Sequence, residues 1–562
     1  MISRLTRLLL LCASMLSSVA LAQSIEQTPH NLSVTGPGAV RAATESRICE
    51  FCHAPHDSSP VAALWNRRSP STSYLPYTSS TAVAQPGQPT GSSLLCLSCH
   101  DGTIALGELI SRPDAIVMAG GITTMPPGAG LTGTDLRYDH PISFEYSATL
   151  ATQNGELAVP GSFDPALKLD ANGQLQCTTC HDAHDNRYGA FLVQPNAQSL
   201  LCTECHRKTG WLQTSHSLSA ATWNGQQQDP WPDSDFTTVA DNACGNCHLP
   251  HSVSGGPRLL RYAAEEDNCA ACHNGTVASD NVMSLFSQFS SHRVQDTLLV
   301  HDPVEPAIVD VRHVECADCH DPHATQSARV AGDTPANVRG VNLAGAEVAQ
   351  AIDTYEICLR CHGDSPNQAP ARTPRQLDQS NMRLKIQLNN PSFHPIAGPG
   401  RNTNVPSLIS PLTEQSVIGC VACHNSSSAA SAGGSGPEGP HGSAFAPILV
   451  RNYETIDNTP ESAANYALCY ACHSRNSILN DQSFGEHDKH IRGEDTPCNA
   501  CHDPHGISST QGNATNNSHL INFDTSIVSP NSNGLLRFVD AGQNRGSCDL
   551  SCHGENHVNF DY

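Results

Sequence analysis

Twenty-five cysteines punctuate this chain of 562 residues, and twenty-four of them fall into twelve close pairs, each followed directly by a histidine. Eleven pairs have the form Cys-x-x-Cys-His. They are Cys49 and Cys52 with His53, Cys96 and Cys99 with His100, Cys177 and Cys180 with His181, Cys202 and Cys205 with His206, Cys244 and Cys247 with His248, and Cys269 and Cys272 with His273. The series continues with Cys316 and Cys319 with His320, Cys358 and Cys361 with His362, Cys420 and Cys423 with His424, Cys469 and Cys472 with His473, and Cys498 and Cys501 with His502. The twelfth, Cys548 and Cys552 with His553, has three intervening residues instead of two. Chance would give roughly 0.06 such motifs in a chain of this composition. A disulfide scaffold leaves the trailing histidines unexplained, and zinc sites built from Cys-x-x-Cys units ignore their register. One chemistry uses all three residues. Two thiols add across the vinyl groups on one edge of a haem, and the adjacent imidazole reaches the iron as proximal ligand. The expected cofactor is therefore haem c, covalently held, about twelve per chain.

The sixth iron ligand separates carriers from enzymes. Only Met118, Met125, Met283 and Met382 lie beyond the N-terminal apolar segment, too few for twelve irons, whereas seventeen histidines remain outside the motifs. That supply predicts bis-histidine, low-spin haems. The extra histidines follow a repeat: a leading His, then Cys-x-x-Cys-His-x-x-His, then a second Cys-x-x-Cys-His. Six copies supply the expected distal set of His30, His56, His140, His184, His216, His251, His301, His323, His394, His441, His490 and His505. In the fourth copy the leading residue stays open among His292, His301 and His313, and in the sixth between His487 and His490. The fifth copy lacks the near His, with His441 as its substitute. The near His stands one helical turn from the proximal His, on a similar face. It cannot wrap round to the far side of the same haem, so it is expected to ligate a neighbouring one.

These residues resemble the doubled-CXXCH family of multihaem c-type cytochromes. The resemblance is carried by CHAPH at 52–56, CHDAH at 180–184, CHLPH at 247–251, CHDPH at 319–323 and 501–505, and by the His-Pro-Ile elements that begin at His140 and His394. It implies electron transport in the periplasm or at the cell exterior. Its departures are the missing near His of the fifth copy and the stretched motif at Cys548.

The elements that position these groups must be small. Only 38% of residues are apolar and 5% aromatic, while Gly (41) and Pro (38) are frequent, so a large conventional core is excluded. The expected fold is a multihaem cytochrome c: mostly irregular coil with short α-helices wrapped around a haem chain, and little β. Haem-pair modules are expected at 23–125, 126–212, 213–285, 286–375, 376–480 and 481–562. Spacers rich in Gly, Pro and Ser, such as 120–134 and 425–443, read as loops. The Asp170-Ala171-Asn172-Gly173 turn has the residue types of a calcium loop, though alone such a sequence is usually just a turn.

Arg4 and Arg7, the apolar run from Leu8 and the Ala20-Leu21-Ala22 site read as a secretory signal over 1–22, with Cys12 inside it. The expected location is periplasmic or extracellular, with no integral membrane span. The net charge of −23 becomes −25 without those two arginines. Such a surface repels nucleic acid and anionic lipid and suits cationic partners. The leading functional expectation is a conduit that passes electrons between other redox proteins, such as cytochromes or an outer-membrane porin–cytochrome complex. A nitrite- or hydroxylamine-type reductase would need one open haem. A conductive homopolymeric filament is compatible with conduction.

Overall fold

The computed structural model describes residues 24–562 apart from 57, 60, 61, 129, 252–255, 296–300, 309–312, 326–332, 367, 369 and 370. The expected signal at 1–22 lies outside the described residues. The chain divides into two compact units, Met1–Thr209 with Asp241–Ala263, and Gly210–Ala240 with Ala264–Tyr562.

Most of each unit is turn and coil. The longest described helices are α1 (Gly91–His100), α2 (Glu265–His273) and α3 (Thr354–His362), and each ends on the histidine of a Cys-x-x-Cys-His motif. Helices this short gain little from propensity, so their ends carry specific bonds. Around Cys177–Cys180, the Gln176 and Thr179 side chains form a reciprocal capping box, and Glu315 with Asp318 does the same around Cys316–Cys319. Asp353 and Glu356 cap α3 in the same way. At the suspected calcium turn, Asp170 Oδ1 accepts from the backbone N–H of Asn172 and Gln174, and Oδ2 accepts from Gln176 Nε2. Both oxygens are thus committed to folding the turn.

Strand pairs are mostly two residues long. Ser392–Phe393 pairs antiparallel with Gly506–Ile507, and Phe144–Glu145 with Gln174–Leu175. The exception is an antiparallel sheet of β1 (Arg537–Asp540), β2 (Gly546–Cys552) and β3 (Glu555–Asp561), with β2 in the middle. This sheet was not anticipated from the sequence, and it contains the twelfth cysteine pair.

Apolar packing comes in small clusters. In the first unit Ala42, Phe51, Leu106, Leu109, Ile116 and Met118 pack together, with Cys52, Cys99 and Met125 against them. In the second, Ala500, Ile521, Phe523, Val528, Phe538 and Leu550 form another, bordered by Cys501, Cys548 and Cys552. Buried charge ties segments between clusters. The guanidinium of Arg67 is fully buried and donates to the carbonyls of Ser98, Ala105 and Leu106. Lys385 Nζ meets Asp503 Oδ2 at 2.8 Å, both buried.

Candidate haem-binding sites

Each Cys-x-x-Cys-His motif closes one helical turn. The histidine N–H donates to the carbonyl of the first cysteine in the motifs at Cys49 (2.8 Å), Cys177 (3.0 Å), Cys202 (2.9 Å), Cys244 (2.9 Å), Cys316 (3.1 Å), Cys420 (2.9 Å), Cys469 (2.9 Å) and Cys498 (3.0 Å). In the other three the motif is the last turn of α1, α2 or α3. One turn rises only about 5.4 Å, so it brings both thiols to one side and aims the imidazole beneath them.

The imidazoles then meet in pairs at nearly constant separation. In the first unit the ring centroids of His30 and His100, His53 and His184, and His140 and His206 are each 6.1 Å apart, and those of His181 and His251 are 6.0 Å apart. In the second, His216 and His273 are 6.2 Å apart, His320 and His441 6.1 Å, and His424 and His505 6.0 Å. His292 with His362, His394 with His473 and His487 with His502 are each 6.4 Å apart. Rings in contact would stand closer. Two metal–nitrogen bonds of about 2 Å plus about 1 Å from each nitrogen to its ring centre give roughly 6 Å. Every pair joins one motif histidine to one histidine outside the motifs. The spacing therefore fits a haem iron between two axial imidazoles.

The far nitrogens are fixed as metal-bound imidazoles require. Nδ1 of His181, His248, His424 and His502 bonds to the carbonyls of Ala190, Arg258, Pro447 and His519, at 2.8 to 3.0 Å. Nδ1 of His473 meets Ser407 Oγ at 2.9 Å. In His181, His424, His473 and His502 these bonds leave Nε2 to face the partner ring. Burial, followed by repulsion from neighbouring imidazoles, pushes His206, His441, His473, His487 and His502 down to about 4. These rings are thus neutral, the form that ligates iron.

One rule places the non-motif histidines. The leading His of each copy binds the near-His loop of the next copy. His30 Nδ1 bonds to Ala183 O, the His140 N–H donates to Pro250 O, and His216 Nδ1 bonds to Pro322 O. The His292 N–H donates to His441 O, and His394 Nδ1 bonds to Pro504 O. The near His is thereby carried back one copy. His184, His251, His441 and His505 face the first motif histidine of the copy before their own. The leading His of copies one to five faces the second motif histidine of its own copy, and that of copy six, His487, faces the first.

Several expected ligands are placed elsewhere. His292, not His301, stands opposite His362. His301 Nδ1 lies 3.2 Å from Asp318 and 3.3 Å from Glu305, and Arg360 pairs with both carboxylates. In the other copies with an unambiguous leading His, that residue precedes the first cysteine by 19 (His30), 37 (His140), 28 (His216) and 26 (His394) positions. His292 precedes Cys316 by 24, whereas His301 precedes it by 15, so spacing was the usable signal. His487, not His490, faces His502, and His490 Nδ1 bonds to Glu486 O at 2.7 Å. His56 is exposed. His323 is not among these displaced ligands: its Nδ1 lies 3.3 Å from Asp321, as His251 Nδ1 lies 3.1 Å from Asp139. His553 directs Nε2 at Asp457, 2.9 and 3.0 Å from its two oxygens.

The profile of the doubled CXXCH motif matches residues 171–210 and 237–278, which hold the third to sixth motifs. Those two stretches are similar to the doubled-CXXCH family. No curated protein matches the chain. The matched motifs imply covalent haem c, and the similarity suggests a c-type cytochrome that carries electrons. Among the described residues no helix is long and apolar enough to cross a membrane.

The cysteines bring successive motifs together. Within a copy, the second cysteines are close enough to interact electrostatically: Cys52 with Cys99, Cys180 with Cys205, Cys319 with Cys361, and Cys423 with Cys472. Between copies the first cysteines lie in hydrogen-bond reach: Cys96 with Cys177, Cys202 with Cys244, Cys358 with Cys420, and Cys469 with Cys498. Glu265, at the start of α2, accepts from the Ala317 N–H inside the seventh motif at 2.8 Å. Within each unit, neighbours in sequence are neighbours in space.

Proposed function

We propose that this protein is a multihaem electron conduit working in the periplasm or outside the cell, with closely packed bis-histidine haems. The observation that carries this reading is the set of ten imidazole pairs spaced 6.0 to 6.4 Å apart. When bound, haem supplies one-electron redox chemistry. The chain's own residues do the rest. Thiols on one helical turn hold the porphyrin edge. The motif imidazole and its partner would both ligate the iron, which would leave no position open to substrate. The alternation of second-cysteine and first-cysteine contacts keeps consecutive sites adjacent, as a series of short hops requires. His184, His251, His441 and His505 each reach back one copy, so neighbouring modules within a unit would be cross-linked by ligation as well as by sequence. Neutral redox or cationic protein partners, such as another cytochrome or a porin–cytochrome complex, suit the acidic surface.

The test is carbon monoxide added to the fully reduced protein. Sealed axial positions predict no rapid change in the Soret band. Stoichiometric, fast binding by a haem of an imidazole pair would overturn the reading in favour of a reductase.

A further inference from the structure

The twelfth motif shares the cysteine contact of the others, with Cys552 near Cys501, but not their backbone geometry. In those, the histidine follows a closed helical turn, by the bonds given above. Cys548 to Cys552 instead forms the C-terminal part of β2, the middle strand of the sheet. Cys548 is opposite Phe538 of β1 and Phe560 of β3, and Cys552 is opposite Glu555. His553 and Gly554 then form a two-residue hairpin loop, with φ of 51° and 84°. Two positive φ angles are the signature of a tight turn matched to strand twist. They place the imidazole at the tip of a hairpin.

Distances follow from the backbone. Four residues of regular strand span roughly 13 Å, shortened only in part here by the register irregularity between Cys548 and Leu550, whereas the three steps between cysteines in a helical turn rise only about 5 Å. A single haem edge cannot meet both thiols across an extended strand. A disulfide is excluded too, because cysteine Cα atoms more than about 7 Å apart cannot be bridged. The strand is also pinned between the two cysteines. Asp549 is 2% exposed, and its carboxylate accepts from Asn559 N at 2.8 Å, Arg537 Nε at 2.8 Å and Asn531 Nδ2 at 3.2 Å. Leu550 packs in the cluster with Phe538, Ile521 and Phe523. Re-forming a helical turn would break these bonds and empty that cluster.

The ligand chemistry is reversed as well. Six of the motif histidines have Nδ1 bonded to oxygen and Nε2 directed away. His553 instead places Nε2 on the Asp457 carboxylate.

We infer that the Cys548–His553 segment is the centre of a protein-only sheet and not a haem site, so that the chain carries eleven haems and two free thiols. This rests on the reading of the other eleven motifs as haem sites. The test is the intact mass of the mature, haem-loaded full chain under denaturing conditions, before and after alkylation with iodoacetamide. Eleven haems with two alkylated cysteines is the expected result. Twelve haems, with one or no alkylatable thiol, overturns the inference while leaving the conduit reading intact. Eleven haems with no alkylatable thiol also overturns it, because it demands a bond between cysteines that the strand holds apart. A chain without haem defeats the conduit reading itself. As a second measurement, the Cys548→Ser/Cys552→Ser variant should keep the wild-type haem-to-protein ratio, and loss of one haem per chain would count against the inference.

Discussion

The histidines divide sharply by where they stand and not by type. His56 and His184 occupy the same place in their copies, as the last residue of CHAPH and CHDAH. Both are exposed, but His184 faces His53 at 6.1 Å, while none of the ten imidazole pairs includes His56. Replacing His184 with Ala should open the haem at Cys49, although that haem belongs to the preceding copy. One haem per chain should turn high-spin by electron paramagnetic resonance and should bind carbon monoxide when reduced. The His56→Ala protein should show neither change. Equal responses from the two variants would refute the backward register. His301 makes a different prediction. Burial works against its charge, but the Asp318 and Glu305 carboxylates prevail and raise it to about 9, above its ordinary value of 6.5. A raised folded value means that the stabilisation is complete below about pH 6.5 and is lost as pH rises through about 9. Thermal melts across that window should show a fall that the His301→Gln variant lacks.

At the scale of elements, short turns are held by side chains and not by length. Strand Ser392–Phe393 pairs with Gly506–Ile507, setting His394 beside His505, and the Lys385–Asp503 pair lies under the same junction. Asp503 also accepts from the backbone N–H of His505. The Lys385→Met variant strands a buried carboxylate, a change that costs roughly 3–5 kcal/mol when a partner is removed from a buried pair. Denaturant titration should register that loss. Lys385→Met/Asp503→Leu should recover much of it, since no uncompensated charge remains. An unaltered midpoint for the single variant would mean that the pair contributes nothing.

For the whole molecule, charge governs encounter. A net charge of −23 on 562 residues leaves a surface that attracts cationic redox partners over distances set by screening. The Debye length falls from about 30 Å at 0.01 M salt to about 8 Å at 0.15 M. Stopped-flow oxidation of the reduced protein by a basic cytochrome should therefore slow by about tenfold or more across that range. Oxidation by a small neutral acceptor should be nearly indifferent to salt.

The sequence by itself determined which atoms do the chemistry. Cysteine pairs followed by histidine state a covalent attachment in a local pattern, and one helical turn is enough to realise it. Composition likewise excluded a large apolar core, and the described structure has small clusters, four of them bordered by motif cysteines. Which imidazole faces which was beyond local reading. His53 and His184, or His320 and His441, are brought together by backbone bonds between loops far apart in the chain, and no spacing rule within one copy encodes that. His301 and His490 show the same limit, because buried carboxylates and a local carbonyl engage them instead. At Cys548 the letters of the motif are nearly intact, yet β1 and β3 hold the segment extended. A motif expresses its chemistry only when the backbone is free to close its turn, and pairing with two neighbouring strands removes that freedom.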